Sequence, residues 1–333
     1  MPKEITHIVI ADDILRKLPA PLAREISLDK KAYYFGSMSP DLFYYDFHIP
    51  GESESAASIS EAIHGRNGED NMSHVFRMLR SPRLEEKNSG LFSFLAGHLT
   101  HMAADSFYHP LIYSVSGNYY DPDHKERNLA ERRHRIFESC MDLYFLKQTG
   151  ETLTSFHLIE KLLPGKNKEA ILSFYASSLS DYTSANDTLH RARRSLKKCV
   201  FLIRSFLNTK LHKFLYPLSG ASGGTLDFFL NLCYLEHRAA NRIDFARLKK
   251  VPHPITGQPY EANIEKLRSL AVRRGLDFIL QADRLRKKKI TEAGARKILR
   301  AYSLNIGLER IPTDRMKFHA KMSGIDSWRT ASS

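Results

Sequence analysis

The chain has 333 residues, 42% of them hydrophobic and 26% charged, with a formal net charge of +13. That length supports a large buried core in one domain or two, and the charge favours anionic partners: phospholipid headgroups, nucleic acid or phosphate esters. Three widely spaced cysteines (Cys140, Cys199 and Cys233) exclude a disulfide framework and a zinc ribbon and suit a reducing compartment.

The first residues lack the pattern of a secretion signal, and no stretch approaches the ~20 apolar residues of a membrane span. A cytoplasmic protein, soluble or peripheral to a membrane, is expected. Ile8, Ile10, Ile14 and Leu15 predict a first helix over 3–18, with His7 near its start. Residues 36–45 read as a loop-to-turn segment around Pro40, and the Ser-, Glu- and Gly-rich residues 51–70 as a surface loop. A helix over 70–80 ends at Ser81-Pro82; one over 90–108 ends at Pro110. A polar, tyrosine-containing loop over 114–127 follows. Further helices are predicted over 128–148, 151–163, 167–180, 184–208, 226–246 and 261–287. Residues 216–225 and 251–260 read as Gly- and Pro-bearing loops, 291–303 as a basic helix and 310–333 as a loose end. Sustained period-two alternation and Asn-Gly or Asp-Gly hairpin signals are absent. The expected fold class is therefore all-α, a multi-helix bundle.

The helix over 90–108 carries the most specific signal. His101, Asp105 and His109 recur every four residues and share one helix face. His134 and Glu138 repeat the device on the next helix. Two helices that each offer imidazole and carboxylate from one face can build a metal site in a bundle core. This donor set suits Zn²⁺ first, then Mn²⁺ or Fe²⁺. His101 and Asp105 can share one ion, and the second Asp105 oxygen can bridge to another. His109, His134 and Glu138 can complete that second shell, as in two-metal phosphoryl-transfer sites. The bland alternative is a helix with incidental core histidines, which one isolated histidine would favour and two ordered clusters do not. His74 competes with His64 as a ligand, His98 reads as a core histidine near the site, and His48 and His124 read as surface.

These residues resemble the zinc-dependent phospholipase C family, which includes secreted bacterial phospholipases C and the N-terminal domain of glycosylphosphatidylinositol-specific phospholipase D. Single-strand-specific zinc nucleases are more distant relatives. Thr6-His7 is similar to the family's opening Thr-His, and Gly36 through Pro40-Asp41-Leu42-Phe43 to its Gly-x-x-x-Pro-Asp-x-Phe motif. Ile63-His64-Gly65 looks like its single histidine, Thr100-His101 through Asp105 to His109-Pro110 like its central motif, and His134 to Glu138 like its closing His-x-x-x-Glu. Pro254-Ile255-Thr256-Gly257 is similar to a later segment of some bacterial members.

The resemblance implies two or three Zn²⁺ ions. His64, His101 and Asp105 would hold one, with Asp41 beside it as ligand or general base. His109, His134 and Glu138 would hold a second, and His7 with Asp105 a third. In secreted members an N-terminal tryptophan binds the third ion. No tryptophan stands near His7 here, which leaves either a backbone carbonyl as substitute or a weak site. Residues 1–285 then form one domain, with ligands in 1–145 and supporting helices in 146–285, followed by a basic helix and tail over 286–333. The implied activity is phosphodiester hydrolysis, with phospholipid as the leading substrate. A zinc nuclease is one alternative. A helical scaffold with structural zinc, docking on an anionic membrane or a protein, is the other. The basic stretch 284–301, with Leu285, Ile290, Ile298 and Leu299, is the sequence candidate for membrane contact. Oligomeric state is left open.

Overall fold

The computed structural model describes residues 3–46, 56–85, 90–182, 185–215, 226, 230–234, 243, 245 and 248–320. Its helices are α1 (Glu4–Lys17), α2 (Ala20–Ser27), α3 (Lys30–Gly36), α4 (Ala57–Ile63), α5 (Ser73–Arg80), α6 (Leu91–Ser116) and α7 (His124–Thr149). There follow α8 (Leu158–Leu162), α9 (Lys168–Ser178), α10 (Ala185–Phe206), α11 (Thr209–Leu215), α12 (Ile264–Arg286) and α13 (Glu292–Arg296). A 3-10 turn covers Ser39–Tyr45, and a two-stranded antiparallel ribbon pairs β1 (Lys250–Pro252) with β2 (Pro259–Glu261). The fold is all-α, as the periodicity predicts.

Helix α6 is the axis of the molecule. Every residue in it except Phe107 is buried, the signature of a helix surrounded by others rather than lying on a surface. It packs against α1, α3, α7 and α12. The approach of α3 is possible because a glycine on each helix faces the other. A Cβ on Gly97 would lie 1.9 Å from the Tyr33 carbonyl oxygen, and one on Gly36 would lie 2.1 Å from that of Phe94. Helix α1 enters beside α7, where Asp142 caps it from outside: its carboxylate accepts the backbone N–H groups of Ile5 (3.0 Å) and Thr6 (2.8 Å) and the Thr6 hydroxyl (2.6 Å). Those are the otherwise unpaired donors of a helix start. The Thr-His pair thus has a mechanical reason: Thr6 fixes the start of the helix and His7 points on towards α6.

Several elements depart from the sequence expectation. Helix α6 does not stop at Pro110 but runs six residues further, to Ser116. Proline removes a single N–H, the one that would reach the Ser106 carbonyl, and burial on all sides outweighs that loss. Residues 51–70 contain α4, while α2 and α3 were not expected as separate elements. The stretch 151–163 is helical only over Leu158–Leu162, and the stretch 291–303 only over Glu292–Arg296. The expected helix 226–246 lies mostly outside the described residues. Residues 251–260 form a ribbon and its turn rather than a plain loop. Of the residues expected to be loose, 310–320 are described: Thr313 is buried and its N–H donates to the Arg66 carbonyl (2.7 Å).

The Gly97 contact is a direct test of this packing. Gly97→Ala should destabilise the protein by about 1–3 kcal/mol or more, because the obstacle is backbone and cannot move aside. Chemical denaturation of the variant checks this, and an unchanged midpoint would contradict the close approach of α3 to α6.

Candidate metal centre

Each candidate ligand sits where a different element ends or crosses. Asp41 lies in the 3-10 turn, whose Pro40 and Ser39 carbonyls accept the hydroxyls of Ser60 (2.6 Å) and Tyr175 (2.9 Å). Just beyond it, the Asp46 carboxylate is gripped by Arg194 and Lys198 of α10, and both cations hold its carboxyl below the usual range although burial opposes them. His64 follows the last turn of α4. His101, Asp105 and His109 line one face of α6, His134 and Glu138 one face of α7, and His7 reaches in from α1.

The side chains converge on Asp105. Its Oδ1 is 3.2 Å from His7 Nε2, and its Oδ2 is 2.9 Å from His101 Nε2, 3.3 Å from His64 Nε2 and 3.7 Å from His109 Nδ1. Asp41 Oδ1 lies 3.2 Å from His64 Nε2 and 3.4 Å from His101 Nε2. His134 Nε2 and His109 Nε2 are 2.9 and 3.8 Å from Glu138 Oε1. Ligand atoms of Asp41, His64, His101 and Asp105 all fall within 4.8 Å of one another, as do those of His109, His134 and Glu138. These are the two sets expected from the sequence. His7 stacks on His101 with ring centroids 3.9 Å apart and planes 8° apart. With Asp105 it brings two side-chain ligands to a third position. The Lys3 carbonyl accepts the His7 N–H (3.5 Å) at the start of α1.

The donor set fits a divalent metal. His64, His101 and Asp105 have no exposed surface. Among the described residues, both nitrogens of His7, both oxygens of Asp41 and of Asp105, and Nε2 of His64, His101 and His109 are buried without a hydrogen bond of normal geometry. Buried polar atoms are almost always satisfied, and buried carboxylates left without a cation cost several kcal/mol each. The far nitrogens of the rings are committed. Nδ1 of His64 donates to the Ser60 carbonyl (2.7 Å), that of His101 to Ser37 (2.9 Å) and that of His109 to Leu304 (2.7 Å). In the neutral rings this turns the Nε2 lone pairs inward, which is how backbone acceptors orient histidine ligands around a metal.

Sequence reasoning missed these three carbonyls, and Leu304 most of all. It belongs to the strap 302–308, which crosses over α6 beside Pro110. The Leu304 N–H donates to the His64 carbonyl (2.9 Å), and the Ile306 carbonyl accepts from His253 Nε2 (2.9 Å) at the turn between β1 and β2. Gly307 fits because it has no side chain: a Cβ there would lie 2.5 Å from the Ser106 carbonyl oxygen, the acceptor that Pro110 leaves without its helical partner.

The remaining candidates divide cleanly. His74 and His98 bond each other through their Nε2 atoms (2.7 Å), and His98 Nδ1 bonds the Ser39 hydroxyl (2.7 Å). Burial pulls His98 well below its ordinary value and His74 to about 3, so both are neutral packing groups and His74 does not replace His64. His124 starts α7 at the surface, and His48 lies outside the described residues. Tyr44 meets His64 edge-on at 5.4 Å, while Tyr113 and Tyr119 meet His134 at 4.8 and 5.3 Å. By contrast, Phe43 is core against Tyr175, and Tyr45 donates to Glu4.

An all-α bundle with two adjoining His/carboxylate clusters able to hold metal is the arrangement from which helical bundles build metal sites in their cores. A family model described as zinc-dependent phospholipase C matches residues 6–202, and the chain belongs to that family. No curated protein and no solved structure matches the chain.

The two clusters differ in protonation. Burial lowers His64, but the Asp105 and Asp41 carboxylates beside it outweigh that and lift the ring to about 9. His101 is likewise raised by the same carboxylates against its burial. In His109 and His134 burial wins and the rings are held well below their ordinary value. A metal entering the first cluster must therefore expel a proton, and one entering the second need not. Zinc affinity of the first cluster should rise about tenfold per pH unit for each proton released, up to about pH 9, while that of the second stays flat above neutrality. Chelator competition across pH 6.5–9 reads both; two parallel flat profiles would contradict the assignment.

Proposed function

We propose that the protein is a zinc-dependent phosphodiester hydrolase acting on a phospholipid or a related phosphate ester. The observation that carries the reading is the pair of buried ligand clusters, the first containing Asp105 and the second Glu138, inside the matched residues. His64, His101 and Asp105 would hold one ion, and His109, His134 and Glu138 the second. His7 and Asp105 offer a partial third position. Zinc bound there supplies Lewis acidity toward phosphate oxygens and lowers the pKa of water.

The protein's own groups do the rest. The Asp41 carboxylate, in the first cluster and without a hydrogen bond among the described residues, would orient the attacking water and accept its proton. Water adds to phosphorus, the bond from phosphorus to the alcohol oxygen breaks, and the alcohol leaves with a proton. Tyr44 and Tyr119 flank the ligands and exclude bulk water from them. The carbonyls of Ser60, Ser37 and Leu304 keep three imidazoles turned inward, so little reorganisation accompanies the step.

Two variants test the reading. Asp105→Asn should lower zinc content and abolish hydrolysis of phosphatidylcholine and of a chromogenic phosphodiester. Asp41→Asn should keep its zinc and lose about 10²–10⁴-fold in kcat. Cleavage of single-stranded DNA but not phospholipid would move the protein to the nuclease side of the same chemistry. Full zinc occupancy with no turnover on any phosphodiester would leave a structural centre.

A further inference from the structure

The sequence from Thr188 to Leu215 holds eight lysines and arginines and no aspartate or glutamate. It forms the second half and more of α10, together with α11, and the structure sorts its side chains by face. Ala192, Leu196, Cys199, Ile203 and Phe206 are buried at helical spacing. Arg194 and Lys198, one turn apart, hold Asp46 beside the Asp41 turn. A third stripe, His190, Arg193, Lys197, Phe201 and Arg204, faces solvent. Arg193 pairs with Glu169, whereas Lys197, Arg204 and Lys210 have no acidic partner among the described residues.

Within this cationic field stand two phenylalanines that the fold does not use. Phe201 is 68% exposed and Phe214 is 71% exposed. Phe214 lies one turn beyond Lys210 and next to Lys213. A large apolar side chain in water gains nothing for the fold. Set in a stretch whose charged side chains are all cationic, it suits a partner that is anionic at its surface and apolar just beneath.

We propose that the outer face of α10 and α11 docks on an anionic phospholipid bilayer. Lys197, Arg204 and Lys210 would meet the headgroup charge, and Phe201 and Phe214 would enter the acyl boundary. Cations with interspersed aromatics at one surface are how helices lie in a membrane interface. A bilayer fits better than single-stranded nucleic acid, because the stripe is the convex side of a helix and not a groove that tracks a strand. The basic stretch 284–301 does not serve this role. It is broken into the end of α12 and the short α13, Leu299 is buried, and Arg286 and Arg296 are held by Asp283, Glu25 and Glu292. The surface stands independently of the metal chemistry, so its test reads binding and not turnover.

The experiment is cosedimentation of the full chain with vesicles of phosphatidylcholine containing one part in three phosphatidylserine, and with vesicles of phosphatidylcholine alone. The wild type should bind the anionic vesicles, weakly or not at all the neutral ones, and less as salt rises. Phe201→Ser/Phe214→Ser and Lys197→Gln/Arg204→Gln should each lower partition by about tenfold or more, with zinc content and thermal midpoint unchanged because all four positions are exposed. Phe318→Ser, at an exposed phenylalanine elsewhere, should leave partition unchanged. The proposal is overturned if the chain ignores anionic vesicles, if both double variants bind as the wild type does, or if the same variants lose a single-stranded oligonucleotide and not the vesicles.

Discussion

The Asp105 carboxylate is the constraint around which the molecule is arranged. It is buried without solvent contact in the centre of α6, and four imidazoles from α1, α4 and α6 itself come within 3.7 Å of it. A carboxylate cannot remain there without compensating positive charge. In the absence of metal, positive charge comes from His64, whose carboxylate neighbours lift it to about 9 against burial, and the same carboxylates raise His101. With metal present it comes from the ions. The core is therefore built for a load of cations, and much of the surrounding structure serves to bring distant ligands to one side chain.

That service is performed by groups with no chemistry of their own. Asp142 of α7 caps α1 and so aims His7. Arg194 and Lys198 of α10 pin Asp46 and with it the turn that bears Asp41. Gly97 and Gly36 let α3 close on α6, which places the Ser37 carbonyl under His101. The strap 302–308 lies beyond the matched residues 6–202, yet its Leu304 carbonyl orients His109 and its backbone ties down His64. The part that carries the ligand clusters and the strap 302–308 are thus tied together around the site.

What could be read from the sequence follows from what local spacing encodes. His101, Asp105 and His109, like His134 and Glu138, are legible because a helix turns once in about four residues. The all-α class is legible for the same reason. His7, Asp41 and His64 are far apart in the chain, and periodicity is silent about them; they were reached through motif resemblance. Leu304 was out of reach by either route, since a backbone carbonyl leaves no mark in residue type. Pro110 misled because helix-breaking rules weigh the local loss and not the burial that offsets it. The stretch 291–303 misled because its charged, helix-favouring composition does not reveal that Leu299 and the strap after it turn inward. The exposure of Phe201 was hidden for a related reason: on a helix with apolar residues on several sides, only packing shows which side is left in water.

The most direct test of the account is elemental analysis of the full chain, equilibrated with zinc and freed of excess metal. Two or more zinc ions per chain, with the second lost in a His134→Ala variant and the first retained, is the predicted result. A single ion per chain that survives that change, or no bound metal at neutral pH, would contradict the claim that the protein carries two separate metal-holding clusters.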